Sequence, residues 1–415
     1  MSAVPGSVRR RILLLTPRWP YPVIGGDRLR IWRLARAVAE HHDITLLSLC
    51  ASQGELDAPA PEDGVFTSVH RILLPRWRSW WQALAAVPGR SPMQVAYYRS
   101  QAFQQEVDRL MGSHDMVWCH LARTAPYARQ AAVPRWLEMT DAVSLTMQRA
   151  SETSPSPFSL RAAVLRMEAA RMRIFEREQA AHFDLLSLVS EVDRDFLFCD
   201  HAPVRSHVVV AGNGVELAPG ALPAMVDRPR GVAFIGQMHS MANRDAVAYL
   251  IREVWPEVRR RIPDARLHLI GPIAASDAAR WGRAAGVVVE GVVPELALTL
   301  AGCRVGVCPV RLGAGVQNKL LDYMAHGLAA ITSPVGLEGL GAQAGQDLRV
   351  AHSAADWIDQ VCELLTDADI AQTLGTAGRT LVEGRYRWQQ ALAPVLQALD
   401  HLGEARSQRT PERPA

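Results

Sequence analysis

The architecture this sequence predicts is two α/β halves of similar size, each a parallel sheet with crossover helices. Three observations predict it. Short apolar runs of strand length alternate with segments of helical period. That alternation stops in a connector, residues 217–231, which carries Pro219, Pro223 and Pro229 and has little pattern. It then restarts and runs to near residue 385. A chain of 415 residues is long enough for two or three domains of roughly 100–200 residues each.

In order, RILLLTP (11–17) is a buried-type strand ended by Pro17, and the loop RWPYPVIGGDR follows. RLRIWRLARAVAEH places Leu29, Trp32, Leu34 and Val38 at helical spacing, and ITLLSLC (44–50) is the next strand. Strand–loop–helix–strand is the grammar of a parallel sheet. Further strands are read at 69–75, 115–121, 135–141 and 184–190, with a long Arg/Ala/Glu-rich helix over 161–183. SHVVVAGNGVEL (206–217) closes the first half. In the second half strands are read at 231–236, 265–271, 287–291, 305–310 and 328–332. Helices are read at 246–262, near 276–285 and before Gly302, with a terminal helix at 387–402. The domain reading is therefore 1–205, a connector at 206–230, 231–385, the terminal helix to 403, and a polar, disordered tail over 404–415.

Composition removes several function classes. The chain is 49% hydrophobic and 21% charged, so it can bury a sizeable core. A net charge of +3 is too small for the strongly basic domain that nucleic-acid binding usually shows. The cysteines at 50, 119, 199, 303, 308 and 362 form no CxxC pair and no zinc-type spacing, and read as reduced thiols, mostly buried. Arg9, Arg10 and Arg11 precede only four apolar residues, too few for a signal-peptide core. No apolar run approaches the roughly 18 residues of a membrane span. These features place the protein in the cytoplasm, with any membrane met from the side.

The most informative stretch is VRLGAGVQNKLLDYMAHGLAAITSPVGLEGL (310–340). In open α/β sheets ligands bind beyond the carboxyl ends of strands, and this turn follows the strand 305–310. Gly313 and Gly315 let backbone approach a ligand closely. A helix starting near Val316 offers free N–H groups and a positive dipole end to a phosphate. Lys319 adds a mobile cation, and Asp322, three residues on, lies on the same face. Asp322 would repel phosphate but suits a hydroxyl pair such as a ribose. Together the two describe a handle for a nucleoside diphosphate. The bland alternative is a surface Lys–Asp pair on a helix capped by Gly327.

The stretch GAGVQNKLLDYMAHG followed by ITSPVG resembles the carboxyl-terminal signature of GT-B glycosyltransferases of the group 1, or family 4, type. FIGQMHSMANRDAVAYL, VAGNGVEL and PRWPYPVIGGDRLRIWRLARAVAEHHDITLLSL resemble three further stretches of that family, so the resemblance spans most of residues 11–385. Within it the chain looks most like bacterial sugar transferases of exopolysaccharide systems. The resemblance implies two Rossmann-like domains facing across a cleft, with a nucleotide-sugar donor on the second and the acceptor on the first. It puts Asp322 on the ribose, where the family's usual residue is the longer glutamate. The glutamate that often lies eight residues earlier is Ala314 here. The arginine or lysine usual after the strand 231–236 is missing, with only Arg244 late in the loop after Gly236, which leaves Lys319 as the main diphosphate cation. Gly25 and Gly26 match the loop near the donor phosphates. His120 ends a strand where many members carry a histidine close to the sugar, and Arg123 adds a contact one turn later. Asp141, after the next strand, is an acceptor-side residue or a loop cap.

Asp193/Asp195 and Asp367/Asp369 resemble metal-binding pairs, yet both read as helix-cap or solvated carboxylates, so no metal or other cofactor is expected. Residues 75–98 hold Trp77, Trp80, Trp81, Tyr97 and Tyr98 with Arg76, Arg78 and Arg90. On a helix, Trp77, Trp80, Trp81 and Leu84 share one face. Core packing is the commoner use of such a face; the other is contact with an anionic membrane. The reading is a glycosyltransferase moving a sugar from a nucleotide-sugar to a glycan or lipid-linked acceptor, with retention of anomeric configuration implied by the resemblance. A nucleotide-sugar epimerase of the same fold and a non-catalytic partner protein are the alternatives, the latter prompted by Ala314.

Overall fold

A computed structural model describes residues 9–152, 159–217, 220, 222–312 and 315–407. The chain forms two compact units, Met1–Ala211 with Leu392–Ala415, and Gly212–Ala391. In the first unit β1 (Arg11–Thr16), β2 (Asp43–Cys50), β3 (Ser68–Leu73), β4 (Met116–His120), β5 (Arg135–Thr140), β6 (Leu185–Leu188) and β7 (Val208–Val210) form one sheet. Its order is β3-β2-β1-β4-β5-β6-β7, and every pairing is parallel. Strands covered on both faces must be apolar throughout, and Ile12 to Leu15 are fully buried, as are Met116 to Cys119. Trp118 and Trp136, on neighbouring strands, stack with ring centres 4.2 Å apart.

The second unit repeats the design with β8 (Gly231–Ile235), β9 (Arg266–Ile270), β10 (Val287–Gly291), β11 (Val305–Cys308), β12 (Ala329–Thr332) and β13 (Arg349–Val350). The order is β10-β9-β8-β11-β12-β13, again parallel throughout. Strand order therefore reverses at two places, between β1 and β4 and between β8 and β11. At such points the following loops diverge to opposite faces and leave a crevice beyond the strand ends.

Each strand read from the sequence is present. The short edge strand β13 was not anticipated, because two residues carry no period. The helix expected over 246–262 begins earlier, at Met241, and is broken by a π-turn at Leu250–Val254 before resuming as Trp255–Arg261. Pro256 explains the break, since it has no N–H to give the preceding turn. The helix expected near 276–285 is the shorter Ala275–Trp281. The terminal helix spans Trp388–Ser407, four residues into the tail expected to be disordered, and 408–415 lie outside the described residues. Four of the six cysteines are buried; Cys199 is exposed and Cys362 partly so. No described helix is long and apolar enough to cross a membrane.

Candidate active site

In the second unit the residues beyond β8 and β11 converge. Gly236 follows β8, and a Cβ there would lie 2.7 Å from the Asn243 side-chain nitrogen. Its lack of a side chain seats the Asn243 amide. That amide donates to the Gln237 carbonyl at 3.0 Å and accepts from Lys319 Nζ at 2.7 Å. Gly315 has φ +70°, the left-handed conformation that favours glycine. The helix of the signature spans Asn318–Ala325, so it starts two residues after Val316, which is a buried residue of the preceding turn. Gly313, expected to touch the donor, and Ala314 lie outside the described residues.

Lys319 is 8% exposed, with Nζ 5.0 Å from the centre of the Phe234 ring. Burial pushes its pKa down, and the Cys308 thiol only partly offsets this. No carboxylate pairs with it among the described residues. Asp322 is half-buried, and burial alone pushes its carboxyl up to about 7. It too has no hydrogen-bond or ion-pair partner among the described residues. The surface Lys–Asp pair is therefore not what forms. A buried cation and a half-buried carboxyl lie one turn apart and do not meet.

Tyr323, which the sequence reading passed over, fixes this geometry. Its hydroxyl donates to the Val307 carbonyl at 3.1 Å and accepts from the Ile235 N–H at 2.9 Å. Its ring occupies the space a Cβ at Gly306 would fill, at 2.2 Å. The helix is thereby pinned to β8 and β11 on either side of the switch point. A glycine inside the strand VGVC was the available signal. Gly327, at φ +67°, ends the helix as expected. Asn213 of the NGV segment donates to Asn318 Oδ1 at 2.7 Å, tying that segment to the first helical residue. Arg244 is held by Asp277 at 3.0 Å. Arg311, at the end of β11, was also passed over; it grips Asp245 in a fork at 2.7 and 3.0 Å.

In the first unit the loop after β1 and the end of β4 meet at the other switch point. Gly25 has φ 99° and caps the helix Gly26–Ala39, where Gly26 is the first residue. His120 ends β4, is 3% exposed, and donates from Nδ1 to Glu138 Oε2 at 2.6 Å. Glu138, fully buried on β5, also accepts from Arg30 Nε at 2.7 Å and from the Thr140 hydroxyl at 3.0 Å. Burial alone would raise the Glu138 pKa; Arg30 and His120 overcome it and hold the carboxyl at about 2. A carboxylate this acidic accepts, so His120 carries its proton on Nδ1 and keeps Nε2 for a ligand. Leu121, directly after His120, and Thr140, two residues after Glu138, both have φ 66°. Such backbone is uncommon for non-glycine residues and clusters at functional sites.

Around this chain lie three more charges. Burial opposes ionisation of Asp27, but Arg18 at 3.0 Å, His120 and Arg123 together lower its pKa. Arg123 is half-buried with its guanidinium 5.1 Å from the Tyr98 ring centre. Asp141 has its pKa raised to about 7 by burial and by Asp193, against the pull of Arg123. It is not the loop cap: Asp193 accepts from the Ala142 N–H at 3.0 Å in that role. Asp193 is buried there with Ser190, and Asp195 pairs with Arg205 at 2.7 Å. Asp367 caps the helix that contains Asp369. Among the described residues no group of three or more His, Cys, Asp or Glu side chains is arranged to hold a metal ion.

Comparison with known proteins shows what the chain is similar to. Residues 229–367 match the family "Glycosyl transferases group 1". An uncharacterized 44.6 kDa protein in the cps region of Klebsiella pneumoniae is 25% identical over 129 residues, covering 29% of this chain and a third (33%) of that relative. Sucrose-phosphate synthase from Thermosynechococcus elongatus superposes with a TM-score of 0.72 at 16% identity, over 96% of this chain and all (100%) of that one. The Anabaena protein HepE, in complex with UDP and glucose, gives a TM-score of 0.64 at 12% identity, over 94% of this chain and 99% of that one. The chain thus has the GT-B fold of two Rossmann-like domains, and its residues 229–367 match the model of the group 1 glycosyl transferases.

Proposed function

We propose that this protein is a retaining, hexosyl-type glycosyltransferase. It takes a sugar from a nucleotide-sugar bound on the second unit and transfers it to a hydroxyl of a glycan or lipid-linked acceptor bound on the first, in the synthesis of a surface polysaccharide. The observation that carries this reading is the pair Lys319 and Asp322, a buried cation and a half-buried carboxylate one turn apart, neither neutralised by the protein. A diphosphate supplies the missing partner of the first, and ribose hydroxyls that of the second. HepE, which shares the fold, has been captured with UDP and with UDP-glucose. The cps-region relative supports the polysaccharide setting.

In this reading catalysis rests on positioning and on charge stabilisation. The departing diphosphate gathers negative charge as the glycosidic bond breaks. Lys319, steered by Asn243, and the N–H groups around Gly315 and Val316 take up that charge. Asp322 fixes the nucleoside so that the sugar is held in place. On the first unit, His120, with Nε2 presented by Glu138 near the Gly25–Gly26 turn and Asp27, is the side chain assigned to the transfer step. Arg123 and Asp141 sit on the acceptor side.

The test is a thermal-shift panel of nucleotide-sugars and nucleoside diphosphates, followed by a transfer assay with the best donor. A ligand at about a hundred times its Kd stabilises by about 2.7 kcal/mol, which is several degrees for a unit of this size. Lys319→Ala should bind the nucleoside diphosphate roughly tenfold to a hundredfold more weakly, the worth of a charge-assisted hydrogen bond. It should melt no lower than wild type, because it removes a buried charge. Unchanged affinity would overturn the assignment. Lysine and helix dipole together can take the diphosphate charge, so transfer is expected to persist in excess chelator. Full inhibition that metal restores would contradict this.

A further inference from the structure

Helix Arg76–Ala85 of the first unit is built inside out. Its buried residues are the small Ser79 and Ala83. Its large apolar residues face solvent: Trp77 is 68% exposed, Trp80 64%, Trp81 67% and Leu84 58%. The expectation that this stripe packs into the core is therefore wrong. Spacing at i, i+3, i+4 and i+7 places four side chains on one face but does not say which face is buried. Scattered exposed apolar residues need no explanation, but a contiguous aromatic patch marks a surface that something covers. The stripe continues into Val87, also exposed, and Trp80 meets the Tyr97 ring edge-on at 5.5 Å.

We infer that this helix is a membrane-docking element, which lies flat on an anionic lipid surface with its tryptophans in the headgroup layer. Charge identifies the occupant. Residues 75–99 contain four arginines, at 76, 78, 90 and 99, and no aspartate, glutamate or lysine. Arg76, Arg78 and Arg90 are exposed and have no ion-pair partner among the described residues. Tryptophan and tyrosine favour the interface between headgroups and acyl chains, and arginines beside them are drawn to anionic lipid. A second copy of the chain fits poorly. A two-fold contact through this stripe would bring the arginines of both copies into one interface, with no carboxylate from either stripe to pair them. The patch is also held in place. Arg171 donates to the Val87 carbonyl at 2.8 Å, and Glu168 accepts from the Met93 N–H at 2.7 Å, so the segment after the helix is fastened to the helix Leu160–Glu178. A fixed, interfacial aromatic face gives reversible binding rather than permanent anchoring. That the acceptor is lipid-linked rests on the glycosyltransferase reading; the docking face does not.

The test is flotation of the full chain, without nucleotide, on vesicles of phosphatidylcholine with and without phosphatidylglycerol. Wild type should float with the anionic vesicles, much less with the neutral ones, and less as salt rises. Trp77→Ser with Trp81→Ser should reduce partitioning more than tenfold with an unchanged melting temperature, because neither ring has an aromatic partner among the described residues. Arg76→Glu with Arg78→Glu should also reduce it by at least tenfold, since each arginine lost counts for roughly fivefold before the added negative charge is considered. Both variants should keep the donor-induced thermal shift, which separates this inference from the donor assignment. Wild type that stays with the buffer, or variants that float as well as wild type, would overturn the proposal. So would a sharply lowered melting temperature in the tryptophan variant, or a concentration-dependent dimer that it abolishes.

Discussion

Glu138→Gln is expected to lower the melting temperature by about 10 °C and to slow transfer without weakening donor binding. Glu138 is fully buried between Arg30 and His120. An amide of the same shape leaves the buried guanidinium without its counter-charge, and breaking a buried pair from one side costs about 3–5 kcal/mol. At roughly 2–4 °C per kcal/mol for a unit of this size, that is a loss no assay would miss. The pH dependence gives an independent signature. The Glu138 pKa is about 2 in the folded protein against an ordinary 4.5, so the folded state binds fewer protons than the unfolded state between those values. Its stabilisation is therefore complete above pH 4.5 and is lost as pH falls toward 2. Wild type and variant should converge in stability through that window. Glu138 acts on transfer through His120: an amide can present oxygen or nitrogen to Nδ1 and no longer fixes the tautomer. His120→Ala, which removes the group itself, should lower kcat by on the order of a hundredfold or more. Glu138→Gln should fall between it and wild type, with the KM for donor unchanged in both. A variant that melts like wild type would mean that the buried ion pair does not form.

The sequence carried the strands and their crossover grammar, because these follow from local period; Lys319 and Asp322 were singled out by their spacing beyond a strand end, and His120 by the resemblance alone. It did not carry the partners. Glu138 and Arg30 lie 108 positions apart, and nothing local says they meet. A charged residue in the middle of RWLEMT, on a strand buried from both sides, was nonetheless a signal that a buried counter-charge had to exist. Lys319 and Asp322 look like a surface pair when spacing alone is used. Their separation depends on Asn243, 76 positions from Lys319, and on Tyr323 turning the helix against β8 and β11. The tryptophan helix shows the same limit. Periodicity found the stripe, but the burial of Ser79 and Ala83 instead was decided by what lies beneath them.

Asp322→Asn is expected to raise stability above pH 7 while weakening nucleoside diphosphate binding by about tenfold to a hundredfold, the worth of hydrogen bonds to a charged acceptor. Opposite signs for stability and binding are what a functional carboxylate predicts and a structural one does not. The folded-state pKa is raised from 3.8 to about 7, so between those values the folded protein holds a proton that the unfolded chain has released. Wild-type stability then falls as pH rises through that window. A shift of this size has a ceiling of about 4 kcal/mol, which relaxation and water access reduce to about 1–2 kcal/mol. Asparagine carries no such cost, so the variant should melt a few degrees higher at pH 8 and level with wild type near pH 4. Binding follows the reverse course. Ribose hydroxyls donate to the ionised carboxylate, so wild-type affinity should fall as pH drops below 7, and the asparagine variant should show no such slope. Hydroxyls that favour the charged form also pull its pKa down, so nucleotide binding near pH 7 should release a proton. Titration calorimetry in two buffers of different ionisation enthalpy reads that proton directly. Equal heats in the two buffers, or an Asp322→Asn variant that melts below wild type at pH 8, would place the carboxylate in the fold rather than on the donor.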